Sequence, residues 1–286
     1  MSETIQAALV RATALLDKAG IPDAARDARA LVADAADLPP DRLRLEAAQT
    51  LGGAQAERLQ QHLSARIARQ PVAQILGERL FWGRSFHVTR DVLDPRPETE
   101  LIVARALAGS PPERVLDLGT GSGILAVTVL AECPGATGVA SDLSAPALAV
   151  ASRNAARHGV GDRLRSVQGS WFAPVDGVFD LILSNPPYIP QDDIPGLSPD
   201  VREWEPHLAL TPGGDGLGPY RAMAAGMTPH LAPEGRALFE FGQGQADAVC
   251  AIFRSAGWEN LEIHKDMSEK SRVLEVKNTA PGTPGA

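Results

Sequence analysis

Val115-Leu116-Asp117-Leu118, then Gly119-Thr120-Gly121-Ser122-Gly123, then the apolar run from Ile124 to Cys133: on this stretch the fold turns. A short, nearly continuous apolar segment is the mark of a strand buried on both faces. The glycines allow a tight turn, and the longer apolar run reads as a helix. Strand, glycine turn and helix in that order form the first half of a βαβ unit, and the pattern recurs downstream. Residues 137–142 read as a second strand and 145–158 as a helix ended by Gly159. Residues 163–168, 179–184 and 235–241 supply three more strands, and 245–255 another helix. Residues 259–264 and 272–276 are spaced to pair as a hairpin. Alternation of this kind predicts an α/β domain built on a mostly parallel sheet.

Upstream the texture is helical. Ile5, Ala8, Leu9, Ala12, Leu15 and Leu16 fall on one helical face, with Gly20 placed to stop the helix. Ala24, Ala28, Leu31 and Val32 form a second apolar face, and Leu59, Leu63 and Ile67 a third. Aromatic and β-branched residues around Gly83, between Leu80 and Val92, read as a β-hairpin. The chain therefore divides into a helical bundle over 1–78, a hairpin linker over 79–95, an α/β domain over 96–277 and a Pro/Gly-rich, disordered tail over 278–286.

Composition narrows the function. Of 286 residues 44% are apolar, enough for real cores, and the net charge of -8 lacks the electrostatic footprint of a duplex-binding protein. Two cysteines, Cys133 and Cys250, suit a reducing compartment and form neither a disulfide framework nor a metal-ligand cluster. The N-terminus lacks the pattern of a signal peptide, and no segment is long and apolar enough to span a bilayer. The expectation is a cytoplasmic protein with no membrane association, no direct nucleic-acid binding and no metal.

The glycine loop alone is a weak signal, because dinucleotide-binding enzymes use a similar one. Its spacing is G-x-G-x-G, however, which misses the pyrophosphate fingerprint. Asp142 closes the second strand, where its carboxylate is placed to accept from both hydroxyls of a ribose. The plainer role for Asp142 is to cap the helix that follows, a job Ser144 does equally well. Together these residues resemble the class I S-adenosylmethionine-dependent methyltransferases, over roughly residues 95–277. The resemblance implies a seven-stranded Rossmann-like sheet whose last strand is antiparallel, with S-adenosylmethionine lying across the ends of the first two strands. It places Asp117 near the amino-acid part of that cofactor. A role for Asp117 in bonding the glycine loop's own amides stands beside it.

The second half of the site is Asn185-Pro186-Pro187-Tyr188, directly after the apolar strand 179–184. Proline donates no ladder hydrogen bond, so the strand stops there, at the carboxyl edge where open α/β sheets bind ligands. The same tetrapeptide occurs in methyltransferases acting on a planar amide or amine nitrogen. An amide nitrogen is a poor nucleophile, whereas a methyl on a cationic sulfur is a ready electrophile. The protein must chiefly hold the two in line, and such positioning accounts for roughly 7–11 kcal/mol of a barrier. The side-chain oxygen of Asn185 and the carbonyl of Pro186 can each accept one N–H of a carboxamide, and Tyr188 offers a flat face to a planar group. A plain Asn-Pro turn is the bland reading of these four residues.

The surrounding sequence names a narrower resemblance. Gln74-Ile75-Leu76-Gly77, Phe81-Trp82-Gly83 and Pro95-Arg96-Pro97-Glu98-Thr99-Glu100 look like the release-factor glutamine methyltransferase family. So do Trp171-Phe172, Val201-Arg202, Glu205-Pro206 and Gly213-Gly214-Asp215-Gly216-Leu217. This match runs over about 70–277. It implies methyl transfer to the side-chain nitrogen of the glutamine in the Gly-Gly-Gln loop of class I peptide chain release factors, leaving S-adenosylhomocysteine. In that reading Gly119, Thr120, Gly121, Ser122, Gly123 and Asp142 hold the cofactor and Trp171 lies against its adenine, although Trp171 also suits a core. Asn185, Pro186, Pro187 and Tyr188 hold the glutamine, and Asn185 touches the cofactor as well. Arg96, Glu98 and Glu100 suit either a cover for the site or a helix start. Trp204 and Gln74 depart from the family's usual residues. The competing reading is an adenine-N6 or guanine-N2 methyltransferase acting on DNA or ribosomal RNA, which would favour a basic segment with stacking aromatics. No aromatic residue precedes Phe81.

Overall fold

The structure, a computed structural model, describes residues 3–278. It divides into two compact units: the chain through Glu78 together with Ser198–Trp204, and Arg79–Leu197 together with the chain from Glu205 onward.

The first unit contains α1 (Ile5–Lys18), α2 (Ala24–Ala35), α3 (Gly53–Ile67) and α4 (Val72–Leu76), with α8 (Pro199–Trp204) contributed from far along the chain. The Thr4 hydroxyl caps α1 by accepting from the Ala7 N–H at 3.2 Å. Ile5, Ala8, Ala12 and Leu16 of α1 pack on Ala24, Ala28, Leu31 and Val32, small residues that let the two helices approach closely. Two expected core positions turn outward, Leu15 at 36% exposed and Ile67 at 42%. On α3 it is Arg66 that points inward. Its Nε donates to Asp27 Oδ2 at 2.8 Å, and its Nη2 lies 2.7 Å from Asp200 Oδ2. This ion triad, buried at Arg66 and Asp27 and half-buried at Asp200, binds α8 into the unit and is something apolar periodicity cannot anticipate. Gln74 and Trp204, the two departures from the family pattern, meet here, with Gln74 Nε2 donating to the Trp204 carbonyl at 3.1 Å.

The second unit is the α/β domain. Its hairpin, β1 (Glu78–Phe81) and β2 (Arg84–His87), turns through Trp82 and Gly83, both at positive φ, as a two-residue type I′ connection requires. Phe81 and Phe86 meet edge to face with centroids 6.1 Å apart and are buried in the domain's own core. The seven-stranded sheet comprises β3 (Arg114–Leu118), β4 (Thr137–Asp142), β5 (Leu164–Gln168), β6 (Phe179–Ser184), β7 (Leu231–Glu240), β8 (Leu261–Lys265) and β9 (Ser271–Lys277). Its order is β5-β4-β3-β6-β7-β9-β8, with β9 antiparallel to both neighbours. The expected fold is the observed one.

Side chains alternate between the two faces of β3. Val115 enters the layer formed with α5 (Glu100–Leu107), α6 (Ile124–Glu132) and α7 (Ala145–Arg157), whereas Leu116 and Leu118 enter the layer formed with α10 (Gly218–Gly226) and α11 (Ala246–Ser255). A short helix, α9 (His207–Leu210), precedes α10. Strand β7 begins at Leu231 rather than Gly235, because the breakers Pro233 and Gly235 sit in a bulge instead of a loop. There the register jumps from Phe179↔Leu231 to Leu181↔Arg236, and Asn278 Nδ2 bonds the Leu231 and Ala232 carbonyls at 3.0 and 2.9 Å. Asn278, expected in the tail, is thus pinned; the rest of that tail lies outside the described residues. Among the described residues no helix is long and apolar enough to cross a membrane.

The strand order positions the site. From β3 the chain steps outward to β4 and β5, then returns to β6 on the other flank of β3. Helical connections leave the carboxyl ends of β3 and β6 in opposite directions, opening a crevice between them. The Ser184 hydroxyl donates to the Leu118 carbonyl at 2.7 Å and ties the two strand ends together beneath it.

Candidate active site

The glycine loop leaves β3 at its carboxyl end. Gly119, Gly121 and Gly123 all take positive φ, where an L side chain is strained. The Gly119 and Thr120 amides donate to the Ser141 carbonyl at 2.8 and 3.0 Å, anchoring the loop to the end of β4. A Cβ on Gly121 would meet nothing, whereas one on Gly123 would press on Ala151 of α7 at 3.1 Å. Gly123 therefore serves the packing of α6 on α7 and does not reach the cavity wall.

Asp142 sits where the loop meets β4. Its Oδ2 accepts the Gly121 N–H at 2.9 Å and its Oδ1 the Ser144 N–H at 2.8 Å. Capping of α7 falls to Ser144, whose hydroxyl accepts from Ala147 at 3.2 Å. Both carboxylate oxygens of Asp142 keep a second lone pair, and the residue lines the cavity. Asp117 stands behind the loop, 1% exposed, its Oδ2 accepting from the Thr120 hydroxyl at 2.7 Å and the Ala126 N–H at 3.2 Å. Burial pushes its carboxyl up to about 6, against the pull of those two bonds. It braces the turn and is absent from the cavity lining.

The cavity, of about 190 Å³, lies at the crevice. Gly119, Thr120, Gly121, Ser122, Asp142, Trp171, Asn185 and Pro187 all line it. Pro186 is buried beneath it, and Tyr188 packs against the apolar layer of α10 and α11. Burial pushes the Tyr188 phenol up to about 12, so it stays neutral. Trp171, at φ 48, is half-buried and does two things: it lines the cavity beside Gly119 and packs against the same apolar layer. Arg96 also reaches the wall while its Nη2 donates to Glu205 at 2.7 Å. Glu100 accepts the Trp82 N–H at 2.7 Å, a structural task at the start of α5. Sequence reasoning missed the apolar part of the wall, including Leu143 and Leu208, because isolated leucines carry no signature.

Asn185 is held by its nitrogen. Its Nδ2 donates to the Thr99 hydroxyl oxygen at 3.0 Å, and Thr99 shares the cavity wall with it. A glycine cradle, a carboxylate with spare lone pairs, an indole and apolar walls together fit a nucleoside.

Residues 7–77 match the model of the PrmC N-terminal domain, and residues 93–195 that of the methyltransferase small domain. The chain is 53% identical to a release factor glutamine methyltransferase of Cereibacter sphaeroides, over 94% of this chain and 97% of that one. It is 42% identical to another of Rhodospirillum rubrum, over 93% and 83%. In fold it is similar to a methyltransferase from Pyrococcus furiosus, with a TM-score of 0.55, 17% identity, and coverage of 76% of this chain and 100% of that one.

Proposed function

The chain belongs to the release factor glutamine methyltransferase family, and from that premise we propose that it methylates the side-chain nitrogen of the glutamine in the Gly-Gly-Gln loop of class I peptide chain release factors. The observation that supports this best is the orientation of Asn185. With its Nδ2 donating to Thr99, its Oδ1 is the end left to accept from a guest in the cavity it lines.

S-adenosylmethionine supplies, when bound, a methyl already activated by a positive sulfur, so the transfer needs no metal. The chain's own residues do the rest. The free lone pairs of Asp142 would hold the ribose, the glycine loop would let the nucleoside approach its backbone closely, and Trp171 and Leu143 would offer apolar surface to the adenine. Asn185 Oδ1 and the Pro186 carbonyl each accept one N–H of the incoming carboxamide, turning its nitrogen toward the methyl. As the nitrogen gains positive character those two acceptors strengthen, which is where the catalytic advantage lies. Pro187 shapes the wall between the two guests, and Tyr188 backs the tetrapeptide as a neutral ring. The helical unit, whose residues 7–77 match the PrmC N-terminal domain, grips the release factor so that one glutamine is selected among many.

The test is a choice of acceptors. The purified protein with methyl-labelled S-adenosylmethionine is offered a class I release factor, ribosomal RNA and DNA in separate reactions. Label is expected on the factor alone, located to the Gly-Gly-Gln glutamine by mass spectrometry. Label in nucleic acid with none on the factor overturns the assignment.

A further inference from the structure

The glycine loop is fastened at both ends. Its start hangs from β4 through the Ser141 carbonyl, and its end is held by Asn154 of α7, which is 0% exposed. Asn154 Nδ2 donates to the Ser122 carbonyl at 2.8 Å. In a regular helix that carbonyl would accept the Ala126 N–H, four residues on, but Ala126 donates to Asp117 Oδ2 instead. The Asn154 side chain supplies the missing donor at the start of α6.

The same amide holds a second segment. Its Nδ2 also donates to the His87 carbonyl at 3.0 Å, and its Oδ1 accepts the His87 N–H at 2.7 Å. A side chain thus pairs with the end of β2 through both backbone groups, as a neighbouring strand does. Both Nδ2 protons are engaged, and the amide cannot turn over without setting its oxygen against two carbonyls. From His87 the chain passes a short turn, where the Val92 N–H donates to the Thr89 carbonyl at 3.3 Å. It then supplies Asp91, Val92 and Leu93 to the cavity wall, to which Ser122 also belongs. Asn154 is absent from that wall and joins two of the segments that form it.

We propose that Asn154 is a positioning residue for the cofactor: one buried amide sets the spacing between the glycine loop and the chain leaving the hairpin, so the cavity is formed before S-adenosylmethionine arrives. This rests on the reading of that cavity as the S-adenosylmethionine site. It gives residues 79–95 a task beyond linking, because the hairpin becomes the root of a cavity wall. Other contacts seat the hairpin on α7 and the residue that follows it. His158 Nε2 bonds the Ser85 carbonyl at 3.0 Å, the Phe86 and His158 rings lie 4.7 Å apart, and Arg153 Nη1 meets the His87 ring at 2.7 Å. Those contacts hold the hairpin; Asn154 reaches the loop as well. Without its clamp the two segments drift, and apparent affinity falls by the fraction of time the cavity is formed. The Asn185 end of the site is tied separately, through Thr99 and through the Ser184 bond to Leu118, and keeps its geometry.

The experiment compares Asn154→Leu, Asn154→Ala and Arg163→Ala in the full-length protein, with S-adenosylhomocysteine as the binding probe. Arg163 donates to the Leu130 and Ala136 carbonyls at 2.8 and 2.6 Å and lies outside the cavity wall, so its loss costs stability alone. Both Asn154 variants should weaken S-adenosylhomocysteine binding by calorimetry about 10- to 100-fold, as a cavity formed roughly 1–10% of the time would. The KM for S-adenosylmethionine should rise in step, with kcat at saturating cofactor within about threefold of wild type. Arg163→Ala should lower the thermal midpoint and keep both constants within about twofold. In the wild type, S-adenosylhomocysteine should slow hydrogen exchange at the His87 amide together with the glycine-loop amides, a readout that needs no variant to fold. Wild-type affinity in a folded Asn154 variant refutes the clamp, as does slowing of the loop without slowing of His87. Equal loss of affinity in Arg163→Ala and Asn154→Ala also refutes it, because the loss is then one of general stability. If the wild-type protein does not bind S-adenosylhomocysteine, the cofactor reading of the cavity fails and the clamp falls with it.

Discussion

Asn185 is an amide whose two ends have opposite chemistry, one accepting and one donating, and in the proposed reaction it is the accepting end that meets the substrate amide. Removing the side chain deletes one acceptor for the substrate amide and leaves the glycine loop and Asp142 untouched. Asn185→Ala should lower kcat by about 100- to 1,000-fold, the usual scale for one oriented polar partner of a developing charge. S-adenosylmethionine affinity by calorimetry should change less than about twofold. Asp142 belongs to the other half. Its carboxylate already accepts from Gly121 and Ser144, and a ribose would take the remaining lone pairs. Asp142→Ala should weaken S-adenosylmethionine binding about 10- to 100-fold. Unchanged affinity would show that the carboxylate serves the loop alone.

Among the elements, the loop Gly213-Gly214-Asp215-Gly216-Leu217 has a clear mechanical task. The Gln191 N–H donates to the Gly214 carbonyl at 3.0 Å, and Gln245 Nε2 donates to the Tyr188 carbonyl at 2.9 Å. Gly216 takes φ +77, and a Cβ there would collide with the Tyr188 carbonyl. The Asn185–Tyr188 segment is thus backed by a wall that tolerates no side chain. Gly216→Ala should destabilise the fold by about 1–3 kcal/mol through backbone strain and lower kcat by displacing Tyr188. Gly218→Ala, two residues on, meets nothing within 4 Å and should change neither. Equal thermal midpoints and equal kcat for both variants would remove this role from Gly216. The motif was visible in the sequence, but its purpose was not, because the group it accommodates lies on another element.

For the whole molecule, three buried carboxyls set a pH dependence. Desolvation pushes Asp117 up to about 6 and Glu205 and Glu240 up to about 7. In the unfolded chain such groups ionise near 4. Between those values the unfolded state has lost a proton that the folded state keeps, so each contribution is fully present below about 4 and is lost as pH rises to about 7. Glu240→Gln removes one of them. Its thermal midpoint relative to wild type should therefore improve from pH 5 to pH 8, by the equivalent of about 1–3 kcal/mol. A constant difference across that range would show that Glu240 is charged throughout.

The sequence by itself determined the alternation of strands and helices, the glycine loop and the Asn-Pro-Pro-Tyr strand end. Each is written in neighbouring residues: apolar periodicity, positive-φ glycines and proline's missing N–H are local facts. It could not reveal that Arg66 takes the buried place expected of Ile67, that β7 runs through Pro233, or that Gly123 packs helices instead of lining the cavity. Nor could it show that Asn185 Nδ2 donates to Thr99, which lies 86 residues away along the chain. Those were decided by the order β4-β3-β6-β7 across the sheet. Hydrogen bonds act over about 3 Å of space and are indifferent to distance along the chain, so orientation at the site became defined only when the strands lay side by side.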